Sequence, residues 1–171
     1  MPRMSPSTNR FDPFRTFDFK LKWDGQYVAG LSKISGLRRT TQVTEWREAG
    51  ENITPKKMPG LSSVGNVTLE AGITYDTAFE DWANLVNDFA SHSITSLKDF
   101  RKQVSIEVRN EARVPVILYH LYRAWVSEYQ ALPDLDAGTN AVAITTITLV
   151  YEWFERDPAV FETPDQGPTR S

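Results

Sequence analysis

Hydrophobic and polar positions alternate along most of this chain, which is the period of half-buried strands. In "RTFDFKLKWDGQYVAGL", Phe17, Phe19, Leu21 and Trp23 alternate with Asp18, Lys20 and Lys22. Asp24-Gly25 is a tight-turn pair, so Gln26 to Leu31 reads as the returning strand of a hairpin. In "VGNVTLEAGITYD", Val67, Leu69, Ala71 and Ile73 point one way, while Asn66, Thr68, Glu70 and Gly72 point to a wet face. "QVSIEVRN" alternates again. "VPVILYHLYRAWVSEYQAL" and "AVAITTITLVYEWFE", joined by the turn-rich "PDLDAGTN", read as two strands longer than the usual five or six residues.

One segment changes period. In "DTAFEDWANLVNDFA", Phe79, Trp82, Ala83, Val86 and Phe89 recur at helical steps and form one apolar stripe. This predicts a helix over 76–90 whose core face is that stripe. Asp76 or Thr77 stands at the cap, and Thr77 with Glu80 has capping-box spacing. Residues 91–102 read as a polar connector. These elements predict a mainly β fold: an antiparallel β-barrel or sandwich of about seven strands with one packed α-helix.

The segment "LRRTTQVTEWREAGENITPKKMPG" fits this scheme least well. Arg38, Thr40, Gln42 and Thr44 share one face of a strand, and Arg39, Thr41, Val43, Glu45 and Arg47 share the other. Neither face is strongly apolar, and such a strand has weak register in a monomer. It makes sense with water on one side and a partner on the other. Residues 47–62 then read as a long charged loop. The expected organisation is a flexible arm over 1–15, a β-barrel domain over 16–156 and a Pro-rich tail over 157–171.

Composition removes several function classes. The 171 residues carry a formal net charge of -3, so nothing steers the chain toward specific nucleic-acid binding. There is no cysteine, hence no disulfide and no thiolate metal site. No apolar run approaches membrane-spanning length, and the first residues lack the apolar core of a signal peptide. The expectation is synthesis in the cytoplasm and no membrane insertion. The two histidines, His92 and His120, have neither metal-ligand nor base spacing. "DLDAGTN" lacks the ligands of a calcium loop and suits a turn. No dinucleotide, phosphate-loop or nucleophile-elbow motif occurs. No enzyme, cofactor or metal is therefore expected. The residues alone leave open a subunit built to join copies of itself, a small β-barrel carrier of an apolar ligand, and an enzyme with scattered catalytic groups.

Three segments narrow this choice. "DPFRTFDFKLKWDGQYVAGLSKISGLRRTTQVTEWREAGE" (Asp12 to Glu51), "KMPGLSSVGNVTLEAGITYDTAFEDW" (Lys57 to Trp82) and "LPDLDAGTNAVAITTITLVYE" (Leu132 to Glu152) resemble the tail tube proteins of contractile-tailed phages and extracellular contractile injection systems. Ala49 stands where that family usually has Gly. The resemblance implies a barrel shared with the type VI secretion tube protein Hcp. It implies homohexameric rings stacked into a hollow inner tube within a contractile sheath, which conducts DNA or protein cargo. The implied partners are the sheath protein, baseplate and spike, and terminator proteins. The implied place is a phage tail or a released injection particle. A specialised ring next to the baseplate is an alternative within the family. The long loop would contact the neighbouring ring through Arg47, Glu48, Glu51, Asn52, Lys56, Lys57 and Pro59. The candidate lumen face is Asn66, Thr68 and Glu70 with Thr40, Gln42 and Thr44.

Overall fold

Asp24 and Gly25 form the expected tight turn, both at positive φ (48° and 80°), as a two-residue hairpin loop of this hand requires. The computed structural model describes residues 18–28, 31–47, 49–50, 54–72, 77–90, 97–110, 112–134 and 143–160. Among these the elements run β1 (Asp18–Trp23), β2 (Gln26–Val28), β3 (Leu31–Ile34), β4 (Arg39–Trp46), β5 (Lys56–Val64), β6 (Val67–Gly72), α1 (Ala78–Ala90), α2 (Leu97–Phe100), β7 (Lys102–Arg109), β8 (Pro115–Gln130), β9 (Ile144–Val150) and β10 (Trp153–Arg156). The order in the main sheet is β2-β1-β7-β8-β9-β6-β3, with β10 also on β8, and every pairing is antiparallel. The sheet rolls until β1 meets β3.

The mainly β barrel with a packed helix is therefore present, but with ten strands among the described residues rather than about seven. Two long elements account for part of the difference. β8 is the 16-residue spine: β7 runs along one edge, and β10 and then β9 run along the other. Trp125 faces Val150 and Tyr122 faces Trp153, three positions on in each chain, so β9 and β10 are one return in a single register. It is broken at Tyr151 and Glu152, opposite Arg123, which sits at φ 55°. The Glu152 amide donates to the Tyr122 carbonyl (3.1 Å), and its carboxylate takes Arg123 (2.9 Å) and Arg101 (3.3 Å).

The core lies inside the roll. Leu21, Val67, Leu69, Val104, Leu121 and Leu149 are fully buried. Burying each such Leu or Val contributes about 1.5–3 kcal/mol. These side chains form one continuous buried cluster with Trp23, Val28, Phe79, Trp82, Ile106, Ala124, Val126, Ile147 and Tyr151. The helix closes one side. Phe79 and Trp82 are buried against Trp23, with ring centroids 5.0 and 4.9 Å away, and Trp82 Nε1 donates to the Phe100 carbonyl (2.6 Å). Ala83 and Val86 are half-buried against the same core, as the stripe requires. The Phe89 side chain and Asp76 lie outside the described residues.

Four further expectations are corrected. The helix starts at Ala78 rather than 76. The partner of Thr77 is Asp81 rather than Glu80: the Thr77 carbonyl accepts the Asp81 amide (2.8 Å), and its hydroxyl donates to the Asp81 carboxylate (3.1 Å). The polar connector contains α2, because Phe100 can reach the core and carries a short turn in with it. The contacts of the body do not end at 156: the Asp157 amide donates to the Leu118 carbonyl (2.8 Å).

Candidate assembly surface

β3 and β6 pair inside the barrel, whereas β4 and β5 pair only with each other. Ile34 faces Leu69; five positions on in each chain, Arg39 faces Val64. β3–β4 and β5–β6 are thus one ribbon in one register, its inner end in the sheet and its outer end free. Ser35 and Gly65 hold the joint: the Ser35 amide donates to the Thr68 carbonyl (2.9 Å), the Ser35 hydroxyl accepts the Thr68 amide (2.8 Å), and the Gly65 amide donates to the Arg38 carbonyl (2.8 Å). Eight residues of β4 at about 3.3 Å each make a free arm of roughly 26 Å.

Lys56–Val64 is therefore strand, not part of a loop over 47–62. Pro59, Gly60 and the paired lysines hide it in the sequence, and a bulge accommodates them. Thr41 faces Ser62 but Val43 faces Pro59, so Gly60 and Leu61 together oppose Gln42. A Cβ on Gly60 would stand 3.0 Å from Thr44 Oγ1 and 3.3 Å from the Gln42 carbonyl, which explains a glycine there.

All of β4, and all of β5 except its last residue, is exposed on both faces. One face carries the Thr41–Ser62 hydroxyl pair (2.8 Å), Val43 and the Glu45–Lys57 ion pair (3.9 Å). The other carries Thr40, Gln42, Thr44 and Trp46, with the Lys56 ammonium 5.7 Å from the Trp46 ring centroid. Val43 (63% exposed), Trp46 (46%), Met58 (55%) and Leu61 (78%) give this narrow ribbon four bare apolar side chains. At its base, the Arg39 guanidinium lies 5.1 Å from the Trp153 ring. An isolated two-stranded ribbon is marginally stable in water, and bare strand edges are templates for pairing with other chains. Of the expected ring contacts, Arg47, Lys56, Lys57 and Pro59 lie on this arm or at its end; Glu48, Glu51 and Asn52 fall outside the described residues.

The expected wet face is only partly on the arm. Thr68 and Glu70 point away from the core, and Asn66 is exposed at the joint. β9 and β8 extend this face with residues that sequence reasoning missed: Thr148 opposite Thr68, Thr146 opposite Glu70, then Glu128 and Gln130. Lys33 of β3 pairs with Glu70 (2.9 Å). The alternation Thr146-Ile147-Thr148-Leu149 carried that signal: Ile147 and Leu149 are buried, so the threonines that alternate with them face the other way.

The outer face of β1, β7 and β8 holds a shallow depression of about 380 Å³. Glu107 is buried there and accepts from Tyr27 Oη (3.1 Å) and from the Arg109 guanidinium. The bond to Glu107 holds the Arg109 pKa above its ordinary value despite the opposing effect of burial. His120 Nδ1 lies 2.9 Å from Ser105 Oγ, and its Nε2 lies 3.6 Å from Asp157 Oδ2. These are the residue types of a nucleophilic triad, but the second separation exceeds a hydrogen bond. Ser105 also sits mid-strand between paired β1 and β8, with no free amide pair for an oxyanion. Among the described residues no cluster of His, Asp and Glu could hold a metal, and no helix is long and apolar enough to cross a membrane.

No curated protein sequence matches the chain. Solved structures do match its fold. A chain in the anti-feeding prophage baseplate, 6-fold symmetrised, superposes with a TM-score of 0.68 at 26% identity, covering 86% of this chain and 97% of that one. A chain of the PVC extracellular contractile injection system sheath-tube complex in its extended state gives 0.70 at 24%, covering 85% and 91%. A chain of the anti-feeding prophage tube terminating cap gives 0.73 at 22%, covering 92% and 99%. A type six secretion system protein shares the fold more distantly, with a TM-score of 0.52 at 14% identity. Residues 15–155, the barrel and its arm together, match the model of one protein family, and the chain belongs to it: the T4-like virus tail tube protein gp19 family.

Proposed function

We propose that this protein is the repeating subunit of the inner tube of a contractile tail or injection particle. Homohexameric rings stack into a hollow tube inside a contractile sheath, and the lumen passes DNA or protein. The observation that carries this reading is the arm: eight residues of β4, bare on both faces, in a chain with a complete core of its own. Such an arm has no use in a monomer and a clear one in a contact between identical subunits. A heterologous, non-closing contact makes filaments, so an arm reaching the next ring builds a tube. Arg47, Lys56, Lys57 and Pro59, with Glu48, Glu51 and Asn52 beyond them, make the ring-to-ring contact. Thr68 and Glu70, extended by Thr146 and Thr148 and joined by Thr40, Gln42 and Thr44 on the arm, form the polar lumen face. The sheath, baseplate and terminator proteins are the remaining partners; relatives in fold occur in sheath-tube, baseplate and cap assemblies. The subunit's role is structural, and no step of chemistry is assigned to it.

Negative-stain electron microscopy of the purified protein over a concentration series tests this. Rings with six-fold averages, and stacks of them at higher concentration, are the expected result. A protein that remains monomeric throughout, or closes into a two-fold dimer through its arms, overturns it.

A further inference from the structure

The body of the barrel carries two patches of opposite charge that face opposite ways. The first surrounds Tyr27 on β2, a half-exposed ring at the sheet edge. The Lys20 and Lys22 ammoniums lie 5.3 and 5.4 Å from its centroid, and the Arg109 guanidinium 5.8 Å. Glu107 offsets Arg109, and Asp18 lies at the margin, opposite Arg109 in the strand register. Lys20 and Lys22 have no carboxylate partner among the described residues. An exposed tyrosine beside an arginine has the residue types enriched at interface centres, and the two lysines give the patch its positive sign.

The second patch is the outer face of α1. Its exposed residues are Glu80, Asp81, Asn84, Asn87 and Asp88, and the helix has no basic residue. Acids in a first helical turn complement the helix dipole, which accounts for Glu80 and Asp81 locally. It does not account for the absence of any Lys or Arg on the helix itself. Glu80 has no cation partner among the described residues.

The placement of the two patches follows from β1. Trp23 points into the core and packs on Phe79 and Trp82 of α1. Lys20 and Lys22 alternate with Leu21 and Trp23, so they point out of the other side of the strand. The basic patch and the acidic helix face therefore lie on opposite sides of one body. A surface that is complementary to a different surface of the same molecule makes a head-to-tail contact, and such contacts close into rings when the rotation allows. We infer that neighbouring copies within a ring meet through this pair: the Tyr27-centred basic patch of one copy against the acidic face of α1 of the next. The contact rests on the tube reading, and it leaves the arm free for the contact between rings.

Two variants test it. Lys20→Glu with Lys22→Glu makes both patches acidic; Glu80→Lys with Asp81→Lys makes both basic. The altered side chains are half-buried or exposed, and a thermal melt followed by circular dichroism verifies folding. Native mass spectrometry and sedimentation then report assembly. Each variant alone should need about ten-fold more protein than wild type to form rings, because like charges now face each other. Mixed at equal concentration, the two should form rings again, with the variants alternating and an even count of subunits. Wild-type behaviour of each variant alone, or a mixture that remains apart, overturns the contact while leaving the tube reading in place. Wild-type protein that never forms rings overturns both.

Discussion

Tyr151 marks the break between β9 and β10, and its hydroxyl is buried without a hydrogen-bond partner. An orphaned buried hydroxyl costs about 1–3 kcal/mol. Tyr151→Phe keeps the ring packing against Phe154 and removes that cost. A gain of about 1 kcal/mol is expected, which for a chain of this size is about 2–4 °C in melting temperature. Burial also raises the Tyr151 pKa above the ordinary phenol value, and burial, then Glu80, does the same for Tyr129. The folded state holds these protons more tightly than the unfolded one. Their contribution is therefore full below about pH 10, the unfolded value, and is lost as pH rises through the folded values. Tyr151→Phe should flatten the alkaline fall in stability, measured by denaturant titration across that window; an unchanged slope would mean the hydroxyl has a partner in solution. At this scale the sequence was a fair guide to burial: Leu21, Trp23, Val67, Leu69, Phe79 and Trp82 all lie inside, as the period of their segments required. It gave no sign of Arg123 at positive φ, because that backbone is imposed by the interruption of a strand paired with it from more than twenty residues away.

Secondary structure was legible where period and propensity agreed, as in α1, β6, β7 and β8. It was misread where they conflicted. β5 contains Pro59, Gly60 and two lysines, so intrinsic preference points to loop; pairing with β4 and the bulge at Gly60 override it. The arm is also where mutations should separate folding from assembly. Gly60→Val places atoms against Thr44 and the Gln42 carbonyl, so the bulge must shift. The body does not share those contacts, and its melting temperature should stay within about 2 °C, because local opening of the arm is already decoupled from the core. Ring stacking should fall sharply, as read from tube lengths in micrographs. Replacing Lys56 and Lys57 together by Glu removes the Glu45 ion pair and the cation over Trp46, both exposed, each worth about 0–1 kcal/mol within one chain. The same melt with shorter or absent stacks is the expected outcome. A variant that fails to fold would show that the arm supports the core.

For the whole molecule, a rolled sheet with its own core and one unpaired arm makes folding and assembly separable events, and protease access can report each of them. The arm offers trypsin Arg39, Arg47, Lys56 and Lys57, all exposed. In the free subunit the outer ribbon is held by ladder bonds and little burial, so it opens at low cost and should be cut first. The two fragments should not separate under native conditions. β3 remains paired to β6, β6 to β9, and β1 and β7 remain on the other side of the same core. A nicked subunit should therefore elute as an intact barrel and resolve into two pieces only in denaturant. On the proposed ring-to-ring contact, a neighbouring ring covers each arm in assembled tubes, so the same sites should be cut many times more slowly, while sites on the outer wall keep their rates. Equal cutting of the arm in monomer and tube would place it outside the ring contact and leave the polar sheet face as the only candidate for the tube's interior. Nicked monomers that retain their melt but no longer stack would place the assembly function in the arm.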